Sequence, residues 1–279
     1  MKNMERVIFG SILLIGLGFS LQTQACTTTG WADSSNIPGS GEAGSPTVVS
    51  RYSEFCALEV TGTSYVQSNA ASDTRYIGRF YFLPKTSGAG TVDILIAYSD
   101  QAVTDITTDL FTISYNGTEF KFDATEAGGG FASAAASSGW NLVEFEYDSD
   151  SGDFNYWVNV AWDFNALSYA APTGTFASGT GTVEAVQLGA PNGMGGFTGE
   201  ITFDAYEAHR TTSVGALLAG DANGDSAINI LDLGTVRIEL LNPGVLESLA
   251  PGTPDCNSDG NINILDVGCV RLILLNPGV

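Results

Sequence analysis

Twelve residues near the end of the chain occur twice. Asp221-Ala-Asn223-Gly-Asp225-Ser-Ala227-Ile-Asn229-Ile-Leu-Asp232 returns 34 residues later as Asp255-Cys-Asn257-Ser-Asp259-Gly-Asn261-Ile-Asn263-Ile-Leu-Asp266. Each copy runs into an apolar stretch with one arginine (Arg237, Arg271) and stops at Leu-Asn-Pro-Gly-Val. Oxygen side chains at loop positions 1, 3, 5, 9 and 12 suit a calcium ion, which takes six to eight oxygen ligands. Alternate residues of a tight loop aim at one centre. Position 7 (Ala227, Asn261) offers its backbone carbonyl, and position 9 acts directly or through water. An Asp/Asn-rich surface turn is the bland reading, and the duplication argues against it. Two loops imply two calcium ions. Asp at position 12 is one methylene shorter than Glu, so the helix that carries it must start closer to the ion. Glycine stands at position 6 as Gly260, but the first loop has Ser226 there. Loop one is therefore expected to be the more strained and the weaker.

The duplicated loop, each copy followed by one helix and closed by Asp, resembles a dockerin over Asp221 to Val279. That resemblance implies a calcium-dependent partner, a cohesin-like protein or another copy of this chain. In dockerins, loop positions 10 and 11 face the partner. Here they are Ile230-Leu231 and Ile264-Leu265. The second helix is apolar nearly all round, with one stripe of Ile264, Val267, Val270 and Leu274 and others at Leu265, Leu272, Ile273 and Leu275. Such a helix must be covered on several sides. The cover is a protein partner or this chain's own first domain.

The first 25 residues read as an export signal. Lys2 and Arg6 precede an apolar run from Val7 to Leu21, and Thr23-Gln24-Ala25 places small residues before a cleavage point at Cys26. An extracellular or cell-surface location follows, and no membrane span is expected in the mature chain. Cys26 would also be a lipid-attachment point, although Thr23 and Gln24 depart from the preferred box. Export permits disulfides. Cys256 and Cys269 stand where the first copy has Ala222 and Thr235, which favours a Cys256–Cys269 bridge and leaves Cys26–Cys56 by exclusion. Four free thiols are the alternative. With 31 Asp+Glu against 10 Lys+Arg, the chain has no basic surface to neutralise phosphates, which argues against nucleic acid.

Residues 27–45 are rich in Thr, Gly, Ser and Pro and are expected to be irregular. From about Thr47 to Arg210 the pattern is nearly all strand. Val143, Phe145 and Tyr147 alternate with Glu144, Glu146 and Asp148, and Asn116-Gly117 between two alternating runs predicts a tight hairpin. Many strands without a helix imply a two-sheet sandwich. The Gly139-Trp140 strand, the Asp-Ser-Gly turn and the aromatic strand after it resemble a laminin-G or concanavalin-like jelly roll. The domains are thus a signal at 1–25, an all-β jelly-roll sandwich at 26–213, a linker at 214–220 and a small all-α calcium-binding module at 221–279. The linker lacks proline and carries Val214, Leu217 and Leu218, so the module is expected to pack on the sandwich.

Glu144 and Glu146 are the candidate catalytic acids. Laminarinase-like hydrolases on the concanavalin fold place acids at alternate strand positions. The spacing here is Glu-x-Glu-x-Asp, which departs from theirs, and acids on a solvated face are the commoner explanation. Asp204 reads as an exposed acid, and His209 is the chain's one histidine. Trp157 alternates with Tyr156 and Val158 and so is expected to leave the core. Trp and Tyr side chains are candidates for stacking on sugars. The expected role is a non-catalytic, glycan-associated binding or adhesion subunit. The alternatives are a polysaccharide-degrading glycoside hydrolase and a self-associating surface protein.

Overall fold

The computed structural model describes residues 33–35, 57–60, 62–86, 88–101, 109–241 and 252–276. The expected signal segment, Cys26, Cys56, Trp31 and the Leu-Asn-Pro-Gly-Val run after the first helix lie outside these residues in whole or part.

Two antiparallel sheets face each other. The first has seven strands in the order β1 (Asp33–Ser35), β3 (Ser64–Asp73), β14 (Val183–Ala190), β5 (Val92–Tyr98), β6 (Asp109–Tyr115), β7 (Glu119–Asp123) and β8 (Phe131–Ala135). The second has six, in the order β13 (Gly174–Ala177), β10 (Asp153–Val158), β9 (Asn141–Asp148), β4 (Arg75–Pro84), β15 (Ile201–His209) and β2 (Leu58–Val60). A separate hairpin joins β11 (Trp162–Asp163) to β12 (Ser168–Tyr169). The sandwich follows from period-2 alternation, which gives each strand one apolar face. Phe80, Phe82, Val143, Phe145, Tyr147 and Phe154 of the second sheet meet Ile94, Phe111, Ile113, Phe120, Phe122 and Val186 of the first. Phe82 sits among Tyr115, Phe120 and Phe203 at ring-centroid distances of 4.8, 5.2 and 5.4 Å. Burying each such ring contributes about 1.5–3 kcal/mol.

Two expectations need correction. Residues 33–35, expected to be irregular, form a strand, with Ser34 opposite Val66 of β3. The Asn116-Gly117 turn does join β6 to β7, but through three residues. Only Gly117 takes positive φ, at 99°. The Asn116 side-chain oxygen accepts the backbone N–H groups of Thr118 (3.0 Å) and Glu119 (2.9 Å), so a side chain replaces part of the backbone turn.

The outer face of the second sheet carries a smaller apolar cluster of Tyr81, Leu83, Trp140 and Leu142, closed by Tyr169, Ala216 and Leu217. Trp157 leaves the main core as expected, yet it is buried, stacked on Tyr169 at 5.5 Å. Trp162 meets the same tyrosine edge-on at 4.7 Å. Past this face the chain enters α1 (Ile230–Leu241) and α2 (Ile264–Leu275). Among the described residues no helix is long and apolar enough to cross a membrane.

Candidate calcium loops and their anchorage

The two loops share the hydrogen bonds that their first and last aspartates accept. In loop one Asp221 accepts the N–H groups of Asp225 (3.1 Å) and Ser226 (2.7 Å); in loop two Asp255 accepts those of Asp259 (3.1 Å) and Gly260 (2.8 Å). Asp232 spans its loop, accepting from Asn223 (3.1 Å) with one oxygen and from Asn229 (2.7 Å) with the other. Asp266 does the same with Asn257 (3.3 Å) and Asn263 (2.7 Å). Asn229 and Asn263 cap the helices, their side-chain oxygens each accepting from a leucine N–H at 2.8 Å, Leu231 and Leu265. Position 12 therefore closes the loop and completes the capping box of the helix behind it. That double task explains why each helix begins at loop position 10, two residues before the short aspartate.

The donor set fits calcium. Each loop gathers three carboxylates, two amides and the carbonyl of Ala227 or Asn261. Asp221, Asp232, Asp255 and Asp266 are all buried. Burial pushes the Asp255 carboxyl up to about 7, with the charges of Asp266 and Asp259 adding to it. Burial also raises Asp221 and Asp266. A divalent cation removes that penalty by supplying the missing counter-charge. Asn229 and Asn263 already use their side-chain oxygens on the caps, which favours a water-mediated role at position 9.

Strain is shared between the loops and does not fall on loop one alone. Position 4 is left-handed in both, Gly224 at φ 71° and Ser258 at φ 56°. So is position 6, Ser226 at φ 68° and Gly260 at φ 88°. Each loop thus carries one glycine and one serine at its two left-handed positions. Their placement follows from the neighbours. Ser226 is exposed, whereas a Cβ on Gly260 would meet Leu83 Cδ1 of the sandwich at 2.8 Å.

That contact belongs to an anchored junction. Trp140 donates its backbone N–H to the Ser258 carbonyl at 2.9 Å. The linker is tied down as well. Glu144 accepts the N–H groups of Val214 (3.1 Å) and Gly215 (2.8 Å) and the Tyr169 hydroxyl (3.0 Å). Arg79, opposite Glu144 in the β4–β9 ladder, donates to the Gly215 carbonyl at 2.9 Å. It also donates to the carbonyl of Ala205 (3.1 Å), within the irregularity of β15 between Asp204 and Glu207, and to the Glu207 carboxylate at 3.1 Å. Tyr81 accepts from Leu217 N–H at 2.8 Å. The solvated acidic face expected from the alternation is therefore wrong for Glu144, which is fully buried beneath the linker. Burial raises its carboxyl, against the hydrogen bonds that lower it. Glu146 accepts from Arg75 Nε at 2.6 Å and from Asn155 at 3.2 Å. Asp204, expected to be exposed, is buried and accepts from the Ala205 N–H at 2.7 Å.

The helices pack on each other through Val236 and Val270, with Ala222, Cys256, Val267, Ile273 and Leu274 around them. Cys256 and Cys269 form a disulfide, tying the start of loop two to α2. Ile264 does not belong to the buried stripe. Ile230 (68%), Leu231 (62%), Ile264 (69%) and Leu265 (61%) are all largely exposed, so neither pair is the cover for the sandwich. What sequence reasoning missed is Arg79, Tyr169 and the Trp140–Ser258 bond, because each acts through residues distant in sequence.

The sequence model of the dockerin type I domain matches residues 219–275, which take in both loops and both helices. No curated protein matches the chain. Several solved structures are similar in shape at low identity. An endo-beta-1,4-glucuronan lyase from the fungus Trichoderma reesei is 12% identical, with 67% of this chain and 94% of that chain covered and a TM-score of 0.45. A cellulose induced protein, Cip1, is 14% identical over 55% of this chain and 75% of its own, with a TM-score of 0.37. A sialidase is 11% identical over 57% of this chain and 16% of its own, with a TM-score of 0.40.

Proposed function

We propose that this chain is an exported, glycan-associated subunit without hydrolytic activity, recruited to an extracellular assembly through its C-terminal module. Two calcium ions set that module, one held by Asp221, Asn223, Asp225, Ala227 and Asp232, the other by Asp255, Asn257, Asp259, Asn261 and Asp266. Asn229 and Asn263 act through water. When bound, the ions supply the positive charge that the buried aspartates lack.

The observation that carries this reading is the placement of the two Ile-Leu pairs. Each pair stands at the first turn of its helix, fixed there by the loop hydrogen bonds, and each is exposed. Four large aliphatic side chains on a module this small form the kind of apolar patch that marks an interaction site. Burying each gains roughly 1.5–3 kcal/mol. The partner is a cohesin-like protein. The absence of hydrolysis is supported by Glu144 and Glu146, whose carboxylates serve the linker and Arg75.

Calorimetric titration of the calcium-stripped chain tests the metal part: two ions taken up support it, and no uptake refutes it. Reducing-sugar release from a polysaccharide panel tests the rest. Activity that disappears in Glu146→Gln would show the chain to be a hydrolase.

A further inference from the structure

The outer face of the first sheet holds a cleft that neither the calcium loops nor the linker uses. Its volume is about 260 Å³, just under the roughly 300 Å³ at which drug-sized pockets begin, which suits one sugar ring. Asp93, Asp109, Thr112, Ser114, Lys121 and Asp123 line it, with Glu126 and Asn192 at its margin. Ser114 is only 8% exposed, yet no hydrogen bond from its hydroxyl is found among the described residues. Asp109 Oδ1 is likewise buried without a donor. Native structures leave few buried polar atoms unsatisfied, and a bound ligand is one of the explanations.

Beside Asp109 the sheet is cross-linked by side chains. Tyr98, paired with Asp109 across β5–β6, donates its hydroxyl to Gln187 at 3.1 Å, and Gln187 donates to Gln67 at 2.9 Å. The charge is one-sided. Lys121, itself part of the lining, is bonded to Asp123 at 2.5 Å and Asn192 to Asp93 at 3.0 Å; among the described residues no ion pair reaches Asp109 or Glu126. On the flank, Phe131 pairs with Asp123 across β7–β8 and is 63% exposed. The Lys121 ammonium already sits over that ring, 5.0 Å from its centre.

We infer that this cleft binds an amino sugar unit, with the sugar ammonium on Asp109 and its hydroxyls on Ser114 and Thr112. The inference rests on the reading of the sandwich as glycan-associated and names the glycan class. An ammonium satisfies the lone acceptor and offsets the local negative charge. A uronate is repelled by the same carboxylates, and an N-acetylated sugar brings no charge.

The test is calorimetric titration of the full chain, in calcium, with a glucosamine tetramer, an N-acetylglucosamine tetramer and a tetragalacturonate. The glucosamine tetramer is expected to bind at least tenfold more tightly than the acetylated one, and the uronate not at all. Asp109→Asn is expected to weaken the glucosamine tetramer at least tenfold. Glu200→Gln, at a remote exposed acid, is expected to change nothing. Equal losses in Asp109→Asn and Glu200→Gln would mean diffuse attraction to an acidic protein and would overturn the site. Preferential binding of the acetylated or uronate tetramer overturns it too, while leaving a glycan-associated sandwich intact. Binding to none of the three, with cohesin association retained, overturns the inference and spares the assembly reading.

Discussion

Gly215 donates its backbone N–H to the Glu144 carboxylate at 2.8 Å. The residue that spacing alone marks as a candidate acid is thus the post to which the linker is tied. The same glycine presents its carbonyl to Arg79 at 2.9 Å, so two cross-strand neighbours hold both polar groups of a single linker residue. A glycine is required there. Its φ is 84°, and a Cβ would meet the Trp162 ring at 2.6 Å.

Glu144→Ala removes the acceptor for the Val214 and Gly215 N–H groups and the Tyr169 hydroxyl and frees the linker, while Arg79 keeps Glu207 at 3.1 Å. The loss should be about 2–3 kcal/mol, in the range for leaving buried donors unpaired. Glu146 sits with Arg75, whose side chain is 40% exposed, and Glu146→Ala should lose less than about 1 kcal/mol. Urea unfolding of both variants checks the contrast. Equal losses would contradict the clamp.

The strands with strict alternation, such as Val143-Glu-Phe145-Glu-Tyr147, are legible in the sequence because period 2 and aromatic content coincide there. β3 (Ser64–Asp73) is not, since Ser, Asn and Ala carry little apolar signal; it is a strand because its neighbours β1 and β14 pair with it. The loops were legible to the atom class, because duplication doubles the evidence at each oxygen. The cleft was not. Asp93, Asp109, Ser114 and Asp123 come from three strands, and only the ladder register gathers them. The burial of Glu144 was hidden for the same reason, as its cover arrives from residues 214–215.

Loop two touches the sandwich and loop one does not share that contact, so calcium at loop two should be felt by the sandwich. A Cβ on Gly139 would lie 2.3 Å from the Ser258 carbonyl. Gly139→Ala should therefore detach the loop without disturbing either core. Wild-type melting, followed by near-ultraviolet signals of the sandwich, should rise with calcium; the variant's should not. An unchanged calcium response in Gly139→Ala would contradict this coupling.

Asp109 should be a stability cost at neutral pH. Burial, with Asp93 and Glu126 nearby, pushes its carboxyl up to about 6 from an ordinary 3.8. A carboxyl raised in the fold favours the folded state when protonated. That contribution is complete below about pH 4 and is lost as the pH climbs through 6. Asp109→Asn should thus stabilise the chain at pH 8, by about 1 kcal/mol after allowance for solvent screening, and have little effect at pH 4. Denaturation at the two pH values checks it, and destabilisation at pH 8 would count against a ligand-directed acid.

The Cys256–Cys269 disulfide closes a loop of sequence separation 13, for which chain entropy predicts about 3 kcal/mol. The double Ala variant should lower the melting temperature of the helical module, and calcium should recover part of the loss by binding only the folded loops. Circular dichroism at 222 nm with and without calcium measures both effects. An unchanged melting temperature would show the bridge to be dispensable.

The central claim is that calcium-set loops present two Ile-Leu pairs to a partner. The most direct measurement is association of the full chain with a purified type I cohesin module, in calcium and after chelation. The variants are Ile230→Ser with Leu231→Ser, Ile264→Ser with Leu265→Ser, and all four together. The account predicts binding in calcium, loss on chelation, and loss in the fourfold variant with helical content and melting temperature retained. Binding that survives chelation or the fourfold change, or a variant whose melting temperature collapses while association persists, would contradict it.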